Sequence, residues 1–323
     1  MVITKTPLRI SFFGGGSDIP SYYKNDYGLV VSSTINRYIN IALNFCQTDH
    51  IRVVYSEMET VDEVDKLKHD RVREALKEFS VKGNVEICSF SDVPTKGTGL
   101  GSSSTFTVGL VNALYAAKML KCSRYDIAEL ACKIEIERCS QPIGKQDQYA
   151  AAFGGFNAIR FYPDRTEVTA LCVNSDIVDE LNSRFICYST GVTRQTSDVL
   201  GEQVKNLESG SAVSDTKSLV DMAEKSIKML LNGKLDDFGD LLHHSWMKKK
   251  SLASTVSNEH IDEMYSIAKS AGALGGKILG AGGGGYMLLY VPAKNKSKVV
   301  RAMQGFKPFH FKFTDTGTTA QCL

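Results

Sequence analysis

Gly97-Thr98-Gly99-Leu100-Gly101-Ser102-Ser103-Ser104 sets three glycines at alternate positions and then three hydroxyls. Glycines let backbone N–H groups approach an anion with no Cβ in the way. The apolar spacing of Phe106–Leu120 predicts a helix directly after them. A helix start adds unpaired N–H donors and the positive end of a dipole, so loop and helix together make a phosphate cradle. One serine hydroxyl could reach a phosphate oxygen or a Mg2+ ion. A flexible turn with a serine helix cap fits the same letters. Two other phosphate patterns fit poorly. No lysine follows these glycines, Gly275-Gly276-Lys277 is followed by Ile278, and residues 102–121 hold no Asp or Glu to meet a ribose.

Three further segments carry candidate chemistry. Ile278-Leu279-Gly280-Ala281-Gly282-Gly283-Gly284-Gly285 lies between two predicted strands, which suits close backbone approach to a ligand or loop, or a structural turn. Pro7-Leu8-Arg9 leads through Gly14-Gly15-Gly16-Ser17 to Asp18; alone, these charges read as a surface arginine and a helix cap. Ile134-Glu135-Ile136-Glu137 precedes Gly144-Lys145-Gln146-Asp147-Gln148. A helix carboxylate and a loop carboxylate can converge, one on Mg2+ and one on a hydroxyl, although in isolation the segment reads first as solvated helix acids and a loop aspartate.

The elements that must position these groups follow from periodicity. Strands are expected at Val2–Phe13, Gly28–Ser33, Tyr38–Phe45, Ile51–Ser56 and Val85–Phe90, with a helix at Lys66–Phe79. Helices follow Phe106 and surround Ile127–Ile134, then strands at Phe156–Tyr162 and Glu167–Val173. The second half predicts a strand at Arg184–Ser189, helices near 195–208, 214–231, 235–253 and 258–271, and strands flanking the glycine run. A helix near 294–303 and a strand near 309–314 close it. Two lobes are expected, 1–175 and 176–323, because a single core begins to split at this length.

Composition agrees with a globular chain: 43% hydrophobic and 23% charged. Lys and Arg total 38 against 36 Asp and Glu, a net charge of +2, which gives no electrostatic reason for nucleic acid or membrane as partner. Eight cysteines lie scattered without a C-x-x-C pair, and the N-terminus lacks an apolar signal core. Reduced thiols and a cytoplasmic location are therefore expected. Small molecules are the expected partners, and a homodimer is left open.

In this order the four segments resemble the GHMP small-molecule kinases, which include galactokinase, homoserine kinase, mevalonate kinase and phosphomevalonate kinase. Pro7, Arg9, Gly14 and Asp18 match the family's first motif. Pro94 to Ser103 match its phosphate loop, with one extra residue around Thr95-Lys96, and Gly280–Gly284 match its C-terminal motif. TPLRISFFGGGSD, GTGLGSSSTFTVGL, IGKQDQYAAAFGG and GGKILGAGGGGY are most similar to the sugar kinases acting on a heptose 7-phosphate; fucose-type sugar 1-kinases share much of this wording.

The resemblance implies an α+β fold of two lobes. One is like ribosomal protein S5 with a left-handed β-α-β unit, the other is ferredoxin-like, and ATP lies in the cleft between them. It implies Gly97, Thr98, Gly99, Leu100, Gly101, Ser102, Ser103 and Ser104 around the ATP phosphates, with Ser103 and Glu135 on Mg2+ and Glu137 as the rival glutamate. Asp147 takes the catalytic position beside Arg9. Asp18, with Gly16 and Ser17, meets the sugar, and Gly280, Ala281, Gly282, Gly283 and Gly284 close the cleft. A substrate carrying a 7-phosphate needs a basic partner, for which Lys145, Arg138 and Arg194 are candidates. His243, His244, Trp246 and Lys248–Lys250 are read as helix packing and a solvated basic face.

Overall fold

A computed structural model of the chain describes residues 1–94, 97–193 and 196–323, and of 196–198 the backbone only. The larger sheet contains β1 (Val2–Phe13), β2 (Gly28–Phe45), β3 (Ile51–Val54), β4 (Met58–Val61), β5 (Val85–Ser91), β6 (Phe156–Phe161) and β7 (Thr166–Ala170). The smaller sheet is built from β8 (Phe185–Ser189), β9 (Gly275–Ile278) and β10 (Tyr286–Tyr290), with β10 in the middle. The last strands, β11 (Phe313–Thr314) and β12 (Thr319–Cys322), return to the larger sheet, pairing β2 and β1. The expected second lobe, 176–323, thus gives its final residues to the first.

β2 is one strand of 18 residues where two were expected. It changes partners along its length: Gly28–Ser33 pair β6, Thr34 and Ile35 pair β11, and Ile39–Phe45 pair β5. The polar stretch Asn36-Arg37 that suggested a break is kept in the ladder region by β1 alongside it, which shifts register between Pro7 and Leu8. Proline cannot donate to a ladder, and a bulge is where a sheet tolerates it.

The helices are α1 (Pro20–Tyr23), α2 (Asp70–Glu78), α3 (Ser102–Ala117), α4 (Arg124–Cys132), α5 (Gln146–Phe153) and α6 (Ser175–Arg184) in the first half. The second half has α7 (Thr196–Glu208), α8 (Val213–Leu231), α9 (Leu235–Lys250), α10 (Glu259–Ser270) and α11 (Lys296–Ala302). Sequence reading missed β4, β12, α1, α5 and α6: β4, β12 and α1 are only four residues long, and α6 buries a single residue, Leu181. Helix α5 follows a Pro-Ile-Gly break and is buried in a block of Tyr149 to Ala152, so Asp147, expected on a loop, lies in the first turn of a helix.

Helix α3 is buried nearly all round by Phe106, Val108, Leu110, Val111 and Leu114. Such a helix reads as apolar throughout, and it lies in the core. It rests on β1, where Thr4 Oγ1 donates to the Gly109 carbonyl at 3.1 Å and a Cβ on Gly109 would stand 2.9 Å from Thr6 Oγ1. The lobes meet in an aromatic cluster around Phe12, whose ring centroid lies 5.5 Å from Phe185, 5.6 Å from Phe238 and 5.8 Å from Phe313. Burying each such ring stabilises by roughly 1.5–3 kcal/mol. The end of β1, and with it the strand that carries Arg9, is therefore held by both lobes.

Candidate active site

Arg9 points from β1 onto Asp147 in the first turn of α5. Its Nε donates to Oδ1 at 2.7 Å and its Nη2 to Oδ2 at 2.8 Å, while Nη1 donates to the Gly99 carbonyl at 2.6 Å. A planar fork matches a carboxylate in this way, and two parallel bonds fix its orientation. The arginine side chain is 4% exposed and that of Asp147 22%, so the carboxylate keeps an open side. A Cβ on Gly101 would stand 3.1 Å from Asp147 Oδ2 and 3.3 Å from Arg9 Cζ. The phosphate loop thus ends against the ion pair.

Asp18 is buried beside it. Its Oδ1 accepts from Gly16 N at 3.0 Å and Gln146 Nε2 at 2.9 Å, and its Oδ2 from Gln146 N at 3.2 Å. Burial first, and then the charge of Asp147, push its carboxyl above the usual carboxylate range. Gly144 is glycine because a Cβ there would lie 1.9 Å from Asp18 Oδ2. Asp18 and Gly16 line the cleft, as the resemblance implies; Ser17 does not. Its hydroxyl faces inward, donating to Gly14 O at 2.8 Å and accepting from Leu29 N at 3.0 Å, so it ties the glycine turn to β2.

Gly101, at φ +77°, caps α3, and the serines follow as its first three residues with no side-chain cap. That leaves the first N–H groups of the helix without intrahelical partners, facing the loop that would hold an anion. Ser103 is exposed at the cleft; Ser102 is buried with its hydroxyl 3.1 Å from that of Thr98. Leu100 departs from the expected phosphate shell: its side chain is fully buried, and its carbonyl accepts from Arg9 N.

Glu135 sits in widened, π-type turns over Lys133–Arg138, a helix distortion common at functional sites. It is fully buried, and Glu137 is exposed, so of the two glutamates Glu135 is the one held inside the fold, linked through Gln148 to Ser104. Both its oxygens are in use, one accepting from Arg71 Nε at 2.8 Å and the other from Gln148 Nε2 at 2.6 Å. Gln148 also donates to Ser104 Oγ at 3.2 Å, and its own Oε1 is buried without a partner. Carboxylate and hydroxyl oxygens beside a phosphate cradle are the donor type Mg2+ takes, and the residues present fit that ion in kind. Glu135 does not itself line the cleft; Arg71, which holds it, does.

The opposite wall comes from the second lobe. A Cβ on Gly99 would stand 2.2 Å from Leu279 O, and one on Gly280 2.6 Å from Gly99 Cα. The two glycine-rich segments therefore press backbone against backbone. Of the second, Gly280 and Ala281 reach the cleft, while Gly282 packs on Val256 and Gly284 on Val192. Lys249, on α9, also lines the cleft, and its ammonium donates to the Gly280 carbonyl. Burial first, then the charge of Arg9, lower it to about 8, against the pull of Asp18 and Asp147. Lys277 is buried beneath, donating to the carbonyls of Ser11 at 2.8 Å and Phe12 at 3.0 Å.

Two of the three basic residues expected to meet a distal phosphate lie elsewhere. The Lys145 ammonium pairs with Glu129 at 3.5 Å and stands over the Tyr23 ring; Arg138 pairs with Glu78 at 3.3 Å, half exposed. Arg194 lies outside the described residues. The expected solvated face of α9 also divides: Lys248 pairs with Asp215 and Lys250 with Asp262, but Lys249 is buried in the cleft. A signal for this exists in the sequence. Leu235, Phe238, Leu242 and Trp246 form the buried stripe of α9, and the next step along it is Lys249. Gln146 is positioned by Asp18, and Gln203 by donating to Ala281 O at 3.3 Å; no spacing in the sequence distinguishes either from ordinary helix residues.

These walls enclose a cleft of about 630 Å3, the size of a small-molecule site. Residues 67–155 match the family GHMP kinases N terminal domain, and residues 226–307 the family GHMP kinases C terminal. The chain is 32% identical to D-glycero-alpha-D-manno-heptose 7-phosphate kinase of Campylobacter jejuni, with 97% of each chain covered. It resembles the crystal structure of a D-glycero-D-manno-heptose 1-phosphate kinase from Bacteroides thetaiotaomicron with a TM-score of 0.83 and 27% identity, covering 100% of this chain and 99% of that one. Lactococcus lactis galactokinase complexed with galactose, at 19% identity and a TM-score of 0.77 over 98% and 95% of the chains, shares the fold. With an arginine-clamped aspartate at the end of a glycine-rich loop, and a second glycine run closing on it, this two-lobed α+β chain belongs to the GHMP kinase family.

Proposed function

We propose that the protein transfers the γ-phosphoryl group of ATP to the anomeric (C1) hydroxyl of a heptose 7-phosphate, giving a heptose 1,7-bisphosphate. The observation that carries the reaction type is Asp147, clamped by Arg9 at the end of the phosphate loop with one side open. The acceptor follows from similarity to the Campylobacter enzyme over the whole chain. The acceptor oxygen attacks Pγ, the bond from Pγ to the β,γ-bridging oxygen breaks, and ADP leaves with that electron pair. The hydroxyl proton passes to Asp147, which also orients the nucleophile; a loose transition state asks more of positioning than of basicity. Arg9 holds the carboxylate in place. The N–H groups of α3 and the loop cradle the phosphates, and Asp18 meets a sugar hydroxyl. Ser103 and Glu135 would hold Mg2+, which when bound neutralises phosphate charge. The product suits nucleotide-activated heptose synthesis for a surface glycan, in the cytoplasm.

A second reading is a sugar 1-kinase for an unphosphorylated acceptor. Lys145 and Arg138 favour it, because both are paired away from the cleft. An ADP-release assay over heptose 7-phosphate, mannose, fucose and galactose separates the two. Turnover on the heptose phosphate is expected. Rapid turnover of a free sugar, with none on the heptose phosphate, replaces the first reading by the second.

A further inference from the structure

Among the described residues three cations line the cleft: Arg9, Arg71 and Lys249. Two already have carboxylate partners. Arg9 is spent on Asp147, and Arg71 on Glu135 and Asp70. Lys249 has no carboxylate partner among the described residues. It is 5% exposed, and its one hydrogen bond among the described residues goes to a backbone carbonyl although an ammonium carries three donors. An unpaired ammonium out of water is costly, and folding alone gives no reason to keep one.

Its location says what the charge faces. The carbonyl that Lys249 holds belongs to Gly280, which presses on Gly99; the carbonyl of Gly99 is held in turn by Arg9, and Arg9 clamps Asp147. The two cations therefore sit on either side of the seam between the glycine-rich segments, where the phosphate loop meets the catalytic carboxylate. The wall beside Lys249 continues through Gln203 and Ala281 toward Gly16 and Asp18.

We propose that Lys249 is a catalytic residue: its ammonium donates to a non-bridging oxygen of the phosphoryl group in transfer and neutralises the charge that builds there. The proposal rests on the phosphotransferase reading above. Lys249 moves no proton; it supplies from the second lobe the positive charge that Arg9, occupied by Asp147, leaves unmet. Donors aimed at charge that develops only in the transition state act on turnover more than on binding. The lowered ammonium, to about 8, agrees with this setting. The groups around it are Arg9, Asp18, Asp147 and Lys277, together with the Gly280 carbonyl.

The test uses Lys249→Met and Lys249→Arg in the full chain, on whichever sugar the wild type turns over. A wrong acceptor and a wrong lysine then give different results. Lys249→Met is expected to lower kcat about a hundredfold while KM for ATP and acceptor stays within about threefold. It should weaken binding of ADP with aluminium fluoride and acceptor by a similar factor, and leave ADP binding unchanged. Its Tm should not fall, because methionine replaces a buried ammonium with an unbranched apolar chain only one atom shorter. The wild type is expected to lose kcat/KM as pH rises above about 8, and Lys249→Arg should recover part of kcat and move that alkaline fall upward. An unchanged kcat, a loss confined to acceptor KM, or an alkaline fall unmoved by arginine overturns the proposal. The last of these decides even if the methionine variant fails to fold.

Discussion

The two walls of the cleft are built on opposite plans. On the first-lobe wall the charged groups are tied to one another: Arg9 to Asp147, Arg71 to Glu135, Asp18 to the amides of Gly16 and Gln146. On the second-lobe wall, among the described residues, there are glycine backbone, the neutral side chains of Thr193, Leu200 and Gln203, and one ammonium with no carboxylate partner. The first wall is organised before a ligand arrives, which is what orientation and electrostatic catalysis need. The second, on the proposed reading, is a surface whose charge a phosphate would complete. Glycine serves differently on each side. Gly101 keeps the helix start open to an anion, whereas Gly280, Gly282 and Gly284 let one stretch of backbone lie against another.

This contrast can be broken by substitution. Asp147→Asn removes the proton acceptor and leaves the scaffold, so kcat should fall about 10^3-fold with ATP affinity retained, as a coupled assay and calorimetry would read. Wild-type turnover in this variant removes Asp147 from the mechanism. Gly99→Ala strikes the seam itself. The left-handed backbone alone costs about 1–2 kcal/mol, and the Leu279 carbonyl 2.2 Å away must also shift. A lower Tm and ATP binding weakened about tenfold are expected, a loss of about 1.4 kcal/mol. Gly201→Ala is the control. It lies in α7 with open space around it, so alanine should add roughly 0.5–1 kcal/mol of stability without touching turnover.

Asp18 tests the preorganised wall through pH. Its carboxyl is raised above 3.8 in the folded state by burial and then by Asp147. A raised folded value means stability that is full below pH 3.8 and is lost as pH rises through the folded value. Asp18→Asn removes that dependence. The Tm difference, variant minus wild type, should move in favour of the variant between pH 4 and 7, whatever its offset. A difference independent of pH would place Asp18 in a solvated setting instead.

Much of the first wall was legible in the sequence, because its groups are local to motifs: Arg9 in a β-run, Asp18 after a glycine turn, the serines before a periodic helix. The seam between glycine segments follows from the family's motif order and not from either segment alone, since a glycine run reads equally as turn or contact. Lys249 was misread because three adjacent lysines look like one solvated face, although the stripe of Leu235, Phe238, Leu242 and Trp246 leads to the middle one. Lys145 and Ser17 lie within motifs yet turn away from the cleft, Lys145 to Glu129 and Ser17 to Gly14 and Leu29. Those orientations depend on partners distant in sequence. So does the return of β12 to β1, a pairing across almost the whole chain.

The central claim is phosphoryl transfer to an anomeric hydroxyl of a sugar that already carries a phosphate. Phosphorus–proton correlation by NMR on the product of ATP and heptose 7-phosphate tests it most directly. The account predicts a new phosphorus resonance coupled to H1, with the original phosphate still coupled to the C7 protons. A new phosphate at any other carbon, or no sugar phosphate formed while ADP accumulates, would contradict it.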